Sequence, residues 1–227
     1  MLDIGIDNEL ASSYGLGLVG RPVIPTAKQK VEHIEIPGRH GSLRKKGAYE
    51  NVPFKVKFNM LERENIKPFI RRAKPWLLQG KTLFFTDDDV YRKIKHVEMG
   101  DIITEIEEHG EFEVDFTLDP FEYTEDVNLK LTKPGVIYNP GTIESDPKFW
   151  IVGNGTFRLT INDVSFQIKD VNGSVVIESE ILEAYTDTIS MNHKMVGQFP
   201  ILGVGENTIE WSGAIQFMAI RPRWRYI

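Results

Sequence analysis

The chain has 227 residues and a mass of 26.0 kDa, enough for one large β domain or two small ones. It contains no cysteine, which excludes disulfides, thiolate metal sites and a cysteine nucleophile. A net charge of −6 argues against a nucleic-acid partner, because such binding depends on neutralising phosphates with Lys and Arg. A basic leader and a run of roughly 20 apolar residues are both missing, so we expect cytoplasmic synthesis and no membrane insertion.

The charges are unevenly distributed along the chain. Residues 21–95 contain 18 Lys or Arg against 8 Asp or Glu, whereas residues 96–126 contain 12 acids and no Lys or Arg. One interpretation is that these are solvated faces whose charges pair within one domain. The other is that oppositely charged surfaces of neighbouring copies meet in a head-to-tail ring.

Two stretches in the first half are predicted to form a hairpin. Apolar residues alternate with polar ones over residues 26–36 and, more regularly, over residues 51–61, as expected of half-buried strands. The connecting residues 37–50 would form the tip of the hairpin. This tip contains four basic residues, Arg39, Arg44, Lys45 and Lys46.

Residues 62–79 have helical spacing of apolar side chains, and Pro75 within them predicts a kink or two short helices. Strands are predicted at 81–85, 90–97, 102–107 and 111–118. Asp87, Asp88 and Asp89 separate the first two of these strands. They lack the interleaved spacing of a calcium loop, which favours a hairpin turn.

The stretch 133–161 is rich in turn residues and marks a change in the chain. Short strands follow it at 156–161, 165–169, 174–178, 208–211 and 214–220, with a loop predicted over residues 183–199. Asn162-Asp163 and Asn172-Gly173 are turn signals between strands, and Asn-Gly is a strong hairpin signal. The spacing predicts an antiparallel sandwich and a division into domains at residues 1–130 and 131–227.

Sequence patterns of catalytic and metal sites are weak. Glu178 and Glu180 lie two residues apart on one strand, but no second element marks them as an acid–base pair. The histidines show no metal-ligand spacing, and no nucleophile elbow is present. We therefore expect no enzyme activity and assign no catalytic, cofactor-binding or metal residue.

A non-catalytic carbohydrate-binding module is the alternative function. Such a module needs exposed aromatic rings beside hydrogen-bonding groups. Tyr185, Asn192 and His193, in the predicted loop, are the candidate contacts with a saccharide or another partner. Trp150 and Trp211 lie in apolar strands and are expected in the core.

Several phrases, in this order, resemble one protein family. They are Ile36-Pro-Gly-Arg-His-Gly41, Tyr138-Asn-Pro-Gly-Thr142 with Ser145-Asp-Pro147, Gly205-Glu-Asn-Thr-Ile209 and Pro222-Arg-Trp-Arg225. Together they resemble the distal tail proteins of long-tailed phages and prophages of Gram-positive bacteria. The resemblance covers nearly the whole chain.

The resemblance implies a mainly β fold. The first domain would be a β-sandwich-like ring (belt) domain with one helix and an extended hairpin arm, and the second a galectin-like or carbohydrate-module-like antiparallel β-sandwich. It also implies a hexameric ring at the virion tail tip, with the tail tube protein, the tail-tip hub and the receptor-binding protein as partners. We expect the basic arm to meet the acidic strands of the next copy. The candidate interface residues are Arg39, Arg44, Lys45, Lys46, Glu105, Glu107 and Glu108.

Overall fold

The structure, a computed structural model, describes residues 2–61, 67–100 and 110–227. The chain forms two compact units, one of residues 1–122 with 227 and one of residues 123–226. The predicted mainly β fold with one helix is confirmed. The sequence-based domain division at residues 130 and 131 remains a prediction. The predicted strand at 102–107 and the first five residues of the predicted helix lie outside the described residues.

The first unit contains one main antiparallel sheet, with strand order β2-β1-β7-β8-β9-β6-β3. Its elements are β1 (Ile4–Ile6), β2 (Glu9–Leu10), β3 (Leu16–Leu18), β4 (Gln29–Glu35), β5 (Ser42–Tyr49), β6 (Val52–Met60), α1 (Lys67–Gln79), β7 (Thr82–Phe85), β8 (Val90–Met99) and β9 (Glu111–Thr124). A single continuous helix α1 passes through Pro75. Asp87, Asp88 and Asp89 form the turn between paired strands β7 and β8, as predicted.

The core of the first unit follows from the alternation in β6 and β9. Residues 52–59 of β6 pair in register with residues 118–111 of β9, so the even-numbered side chains of both strands share one face. That face is buried, and Phe58 stacks on Phe112 with ring centroids 5.6 Å apart. Helix α1 adds Ala73 and Leu77 to the same cluster. The odd-numbered side chains therefore face outward.

The predicted hairpin of residues 26–36 with residues 51–61 is wrong. Strand β4 pairs with β5 instead, in a separate two-stranded sheet, and β6 belongs to the main sheet. Residues 42–49 carry no apolar alternation because neither face of β5 is buried. The arm is therefore formed by residues 29–49, and three of the four predicted tip cations lie on a strand.

The second unit is a nine-stranded antiparallel sheet that encloses one hydrophobic cluster. Its strands are β10 (Leu129–Leu131), β11 (Gly135–Asn139), β12 (Lys148–Ile161), β13 (Val164–Val171), β14 (Ser174–Glu178), β15 (Glu183–Thr186), β16 (Ile189–Ser190), β17 (Met195–Gly197) and β18 (Gly205–Arg221), and a short strand β19 (Arg225–Tyr226) follows them. The predicted loop at 183–199 thus contains three short strands. The predicted strands at 208–211 and 214–220 are one strand, β18.

Two long strands, β12 and β18, pair along most of their length and hold the second unit together. Their register shifts next to Gly153, where a Cβ atom would lie 2.2 Å from the carbonyl oxygen of Ala214. Gly213 has φ of +107° and a similarly close neighbour, Thr156. Side chains on both sides of this irregularity, Ile151 and Phe157 among them, are buried in the same cluster. The glycines therefore let the sheet bend around its core.

The Asn172-Gly173 hairpin prediction is also wrong. Strands β13 and β14, on either side of this dipeptide, both run antiparallel to β12 and pair with successive halves of it. The chain therefore continues in one direction through Gly173 rather than reversing. Gly173 donates its N–H to the side-chain oxygen of Asn154, and its carbonyl accepts a hydrogen bond from the N–H of Gly153. These two bonds hold the chain to β12 at the point where β13 ends and β14 begins.

An ion-pair network at Glu178 joins the end of β14 to the segment after β18. Its carboxylate accepts hydrogen bonds from Arg223 at 2.5 Å, Lys148 at 2.9 Å and the Tyr185 hydroxyl at 2.8 Å. Burial acts to raise the pKa of Glu178, but these hydrogen bonds outweigh it and hold the pKa at about 2. Arg223 also contacts Glu180 at 3.0 Å. Both carboxylates of the sequence pair thus take part in holding the chain together.

The close approach at Gly153 predicts a selective loss of stability. We expect Gly153→Ala to lower the free energy of unfolding of the second unit by about 2 kcal/mol or more, because the obstructing atom is a backbone oxygen that cannot rotate away. Gly203→Ala is the matched control, since its Cβ would meet no atom closer than 3.8 Å. Chemical denaturation measures both. Equal effects of the two substitutions would contradict the bend assigned to Gly153.

The lowered pKa of Glu178 predicts a pH dependence. The charged network stabilises the folded state fully above the ordinary Glu value of 4.5, and its contribution disappears as the pH falls through about 2. Glu178→Gln should therefore cost about 3 kcal/mol at neutral pH and close to nothing near pH 2, since a pKa unit corresponds to about 1.36 kcal/mol. Denaturation at several pH values, with exposed Glu206→Gln as control, checks this. A cost independent of pH would rule out the electrostatic origin.

Candidate functional site

The hairpin β4–β5 presents the four basic residues predicted for subunit contact. Arg44, Lys45 and Lys46 lie on β5, and Arg39 lies in the turn between the strands. All four are exposed. The structure therefore brings the predicted cations together on one surface feature, which we call the basic hairpin (residues 29–49).

The basic hairpin also exposes apolar side chains. Ile34 and Leu43 lie opposite each other in register, and 41% and 39% of their surfaces remain accessible. Val31 and Ile36 are exposed to a similar degree. A two-stranded hairpin by itself is at best marginally stable in water. This combination of apolar and basic side chains is suited to contact with another surface.

The acidic stretch of residues 96–126 was one side of the predicted interface. Most of its acids that lie in the described residues have partners within their own unit. Lys55 contacts Glu113 at 2.6 Å and Asp115 at 3.0 Å, and Lys57 contacts Glu111 at 2.5 Å. Hydrogen bonds to Glu113 and Asp115 raise the pKa of Lys55. The first interpretation of the charge pattern, pairing within one domain, therefore applies to strands β6 and β9.

The predicted acidic contacts themselves, Glu105, Glu107 and Glu108, lie outside the described residues. Further along β9, Lys95 contacts Asp119 at 2.9 Å, and Arg92 is hydrogen-bonded to Glu122. The described part of the acidic stretch is thus largely neutralised. Pairing within one domain was one of the two interpretations of the charge pattern, but the individual pairs could not be assigned, because Lys55 and Glu113 are 58 residues apart.

Two of the three candidate saccharide contacts have structural roles. Tyr185 lies on β15, not in a loop, and its hydroxyl takes part in the Glu178 network. Asn192 accepts a hydrogen bond from the N–H of Ala184 and donates one to the carbonyl of Leu182. His193 is exposed on a short 3-10 turn, Asn192–Lys194. The predicted loop is thus partly strand. The assignment of these three residues as saccharide or partner contacts remains a prediction.

Trp150 was expected in the core but faces outward. It lies on β12 between the buried residues Phe149 and Ile151, and half of its surface, 51%, is exposed. In register it lies beside Val176 of β14, and Val176 lies beside Tyr185 of β15. Side chains opposite one another share a face of the sheet, so two aromatic residues flank Val176 there. Trp211, in contrast, is partly buried against the core.

Within residues 2–61, 67–100 and 110–227, no group of three or more His, Cys, Asp or Glu side chains is placed to hold a metal ion. Over the same ranges, none of the helical segments has the length and hydropathy that a membrane-spanning helix requires.

Comparison with known proteins identifies structural relatives. No protein-family model matches the sequence, and no curated protein matches it. The crystal structure of SPP1 Dit (gp 19.1), described as a paradigm of the hub adsorption apparatus in Gram-positive infecting phages, matches with a TM-score of 0.69 and 11% identity over 100% of both chains. Chains of the phage p2 baseplate in its activated conformation, with Sr and with Ca, match at TM-scores of 0.43 and 0.44. Both are 11% identical over 97% of this chain and 97% and 98% of theirs.

The alignment with SPP1 Dit covers 100% of both chains, so it spans both compact units. At 11% identity it is evidence for the fold. The resemblance that the sequence shows to distal tail proteins is thus confirmed at the level of structure: the chain has the fold of SPP1 Dit.

Proposed function

We propose that the chain is a distal tail protein, a structural component of a phage tail tip. The observation that carries this proposal is the full-length match to SPP1 Dit, a protein described as part of a hub adsorption apparatus. Fold alone does not determine function. The exposed basic hairpin adds support, because such a feature suits a protein that works by assembly.

In this role six copies form a ring through the first domain, residues 1–130. The ring joins the tail tube to the tail-tip hub, and the second domain, residues 131–227, faces outward to the receptor-binding machinery. The protein is located in the virion tail after synthesis in the host cytoplasm. Its work is assembly and not catalysis.

Contact between neighbours in the ring is assigned to the basic hairpin. Arg39, Arg44, Lys45 and Lys46 supply positive charge, and the exposed apolar residues of the same hairpin supply buried area. Exposed charges of this kind set orientation and encounter rate more than affinity. Glu105, Glu107 and Glu108 remain proposed acidic partners.

The ring predicts a solution mass near six times 26.0 kDa in light scattering. High salt should lower this mass, because screening weakens exposed ion pairs. Lys45→Glu with Lys46→Glu should also lower it, whereas Lys169→Glu with Lys194→Glu, in the second unit, should leave it unchanged. An unaltered mass for the hairpin variant would exclude the charged contact.

Exposure of Trp150 favours one second candidate, a non-catalytic saccharide-binding function of the second unit. An aromatic plane beside polar groups is the arrangement that stacks on sugar rings. This function predicts binding on a glycan array that Trp150→Ala abolishes and that Val164→Ala, at another exposed strand position, retains. Absence of glycan binding by the unaltered protein would exclude it.

A further inference from the structure

Strand β11 (Gly135–Asn139) lies at an edge of the sheet of the second unit. It pairs with β18 on one side, and within residues 2–61, 67–100 and 110–227 no other strand pairs with it. The backbone groups of an extended strand point to both of its sides, so the outer side of β11 presents N–H and C=O groups. Such an edge is a template to which another extended segment can be added.

The edge of β11, all of which the structure describes, lacks the charges, bulges and internal prolines that commonly prevent edge pairing. Residues 134–143 contain no charged side chain, and the register of β11 with β18 runs without a shift. The outward-facing side chains of the strand, Val136 and Tyr138, are 58% and 65% exposed, whereas Ile137 faces the core. An uncovered strand of this kind favours contact with a second extended strand.

The edge of β11 is complementary to itself. Two copies related by a two-fold axis present the same strand to each other in opposite directions, as an antiparallel pair requires. With the axis at Ile137, Val136 of each copy lies opposite Tyr138 of the other, and Gly135 lies opposite Asn139. A β-branched residue opposite an aromatic one is a favourable cross-strand pair, and this arrangement forms it twice.

The prolines that flank β11 select this register. Pro134 and Pro140 are equally distant from Ile137 in the sequence, so they lie opposite each other, and the ladder stops at both ends where N–H groups are missing. An axis at Val136 or Tyr138 would instead place a proline opposite a strand residue. An axis between two residues would place exposed side chains opposite core-facing ones. The register centred on Ile137 is therefore the one that uses the whole strand.

Charge does not oppose this arrangement. The row of side chains across the joined sheets begins with Glu206 of β18, which lies beside Tyr138 in register. The row continues with Val136 and Thr208 of the second copy, because these two residues are also neighbours in register. The two copies of Glu206 are three strands apart, or about 14 Å at the usual strand spacing. This separation exceeds the Debye length of about 8 Å at physiological ionic strength.

We propose that β11 pairs with β11 of a second copy, antiparallel and centred on Ile137, so that the sheets of two second units become continuous. The inference goes beyond the proposed function, because the contact uses the second unit and does not involve the basic hairpin. A strand pair of this length is small compared with stable interfaces, which bury more than about 1,000 Å². Contact between two single chains is therefore weak, and six copies held together in a ring would strengthen it through multivalency.

Disulfide trapping tests the register, because the chain has no cysteine of its own. Val136→Cys chains mixed with Tyr138→Cys chains should give a mixed dimer on oxidation, since directly opposite Cβ atoms lie about 4.5–5.5 Å apart. Like positions lie on a diagonal, about 7–8 Å apart, so either variant alone should give about fivefold less dimer. A size tag on one of the two chains distinguishes mixed from like dimers on a non-reducing gel.

Tyr138→Cys mixed with Val164→Cys is the matched control, because Val164 is an exposed strand position elsewhere in the second unit. A mixed dimer no more abundant than in this control overturns the inference. Predominance of like dimers also overturns it, because those positions meet only in another register. Circular dichroism before oxidation confirms that the variants are folded.

A pair of double variants provides an independent readout by charge. Val136→Lys with Tyr138→Lys places cations opposite each other twice and should abolish association through β11. Val136→Lys with Tyr138→Glu removes the same two side chains but places opposite charges together, so it should retain association. Sedimentation at increasing protein concentration measures both. Equal association of the two variants contradicts the pairing of Val136 with Tyr138.

These results are separate from the test of the ring. If the mixed dimer forms and the unaltered protein never reaches the mass of a ring, the β11 contact stands and the ring is wrong. If the ring mass is found and the mixed dimer stays at the level of the control, the ring stands and the β11 contact is wrong. Failure of both measurements overturns both.

Discussion

The pairing of β6 with β9 determines much of the first unit. One register places Phe58 on Phe112 in the core and Lys55 on Glu113 at the surface. A shift by one residue would expose every core side chain of these strands and bury the charges. The same pairing engages Glu111, Glu113 and Asp115 of β9 in ion pairs with Lys55 and Lys57.

The sequence was sufficient where a strand has one buried face. Alternation in residues 52–60 and 112–118 identified β6 and the beginning of β9, because a period of two follows directly from the pleat. It was insufficient where pairing partners are distant in the chain. Strands β13 and β14 both pair with β12, so the chain does not reverse at Asn172-Gly173. No local sequence pattern distinguishes such a short connection between two parallel segments from the turn of a hairpin. The orientation of Trp150 was predicted wrongly for a related reason. In a run of apolar residues, the local sequence does not show which side chains face the core.

The candidate contact surface was predictable in part. Clustering of Arg44, Lys45 and Lys46 in the sequence located the basic hairpin, although its strands were assigned incorrectly. The carboxylates opposite a given cation depend on three-dimensional pairing, as Lys55 with Glu113 illustrates. The acidic turn at Asp87 was recognised as a turn, but its ion pair with Arg21 depends on the segment between β3 and β4, which has no regular pattern.

The long strand β18 has a consequence for how the second unit forms. It pairs with β10, β11 and β12, which precede it by many residues, and its residues Ile209, Met218 and Ile220 complete the hydrophobic cluster. Contacts between distant segments slow folding, since the intervening chain must be ordered first. During translation, the second unit cannot complete its sheet until residue 221 has emerged from the ribosome. Until then the buried residues Phe149 and Ile151 of β12 lack their neighbours Ile220 and Met218. Apolar surface left exposed in this way favours aggregation or chaperone binding of the nascent chain.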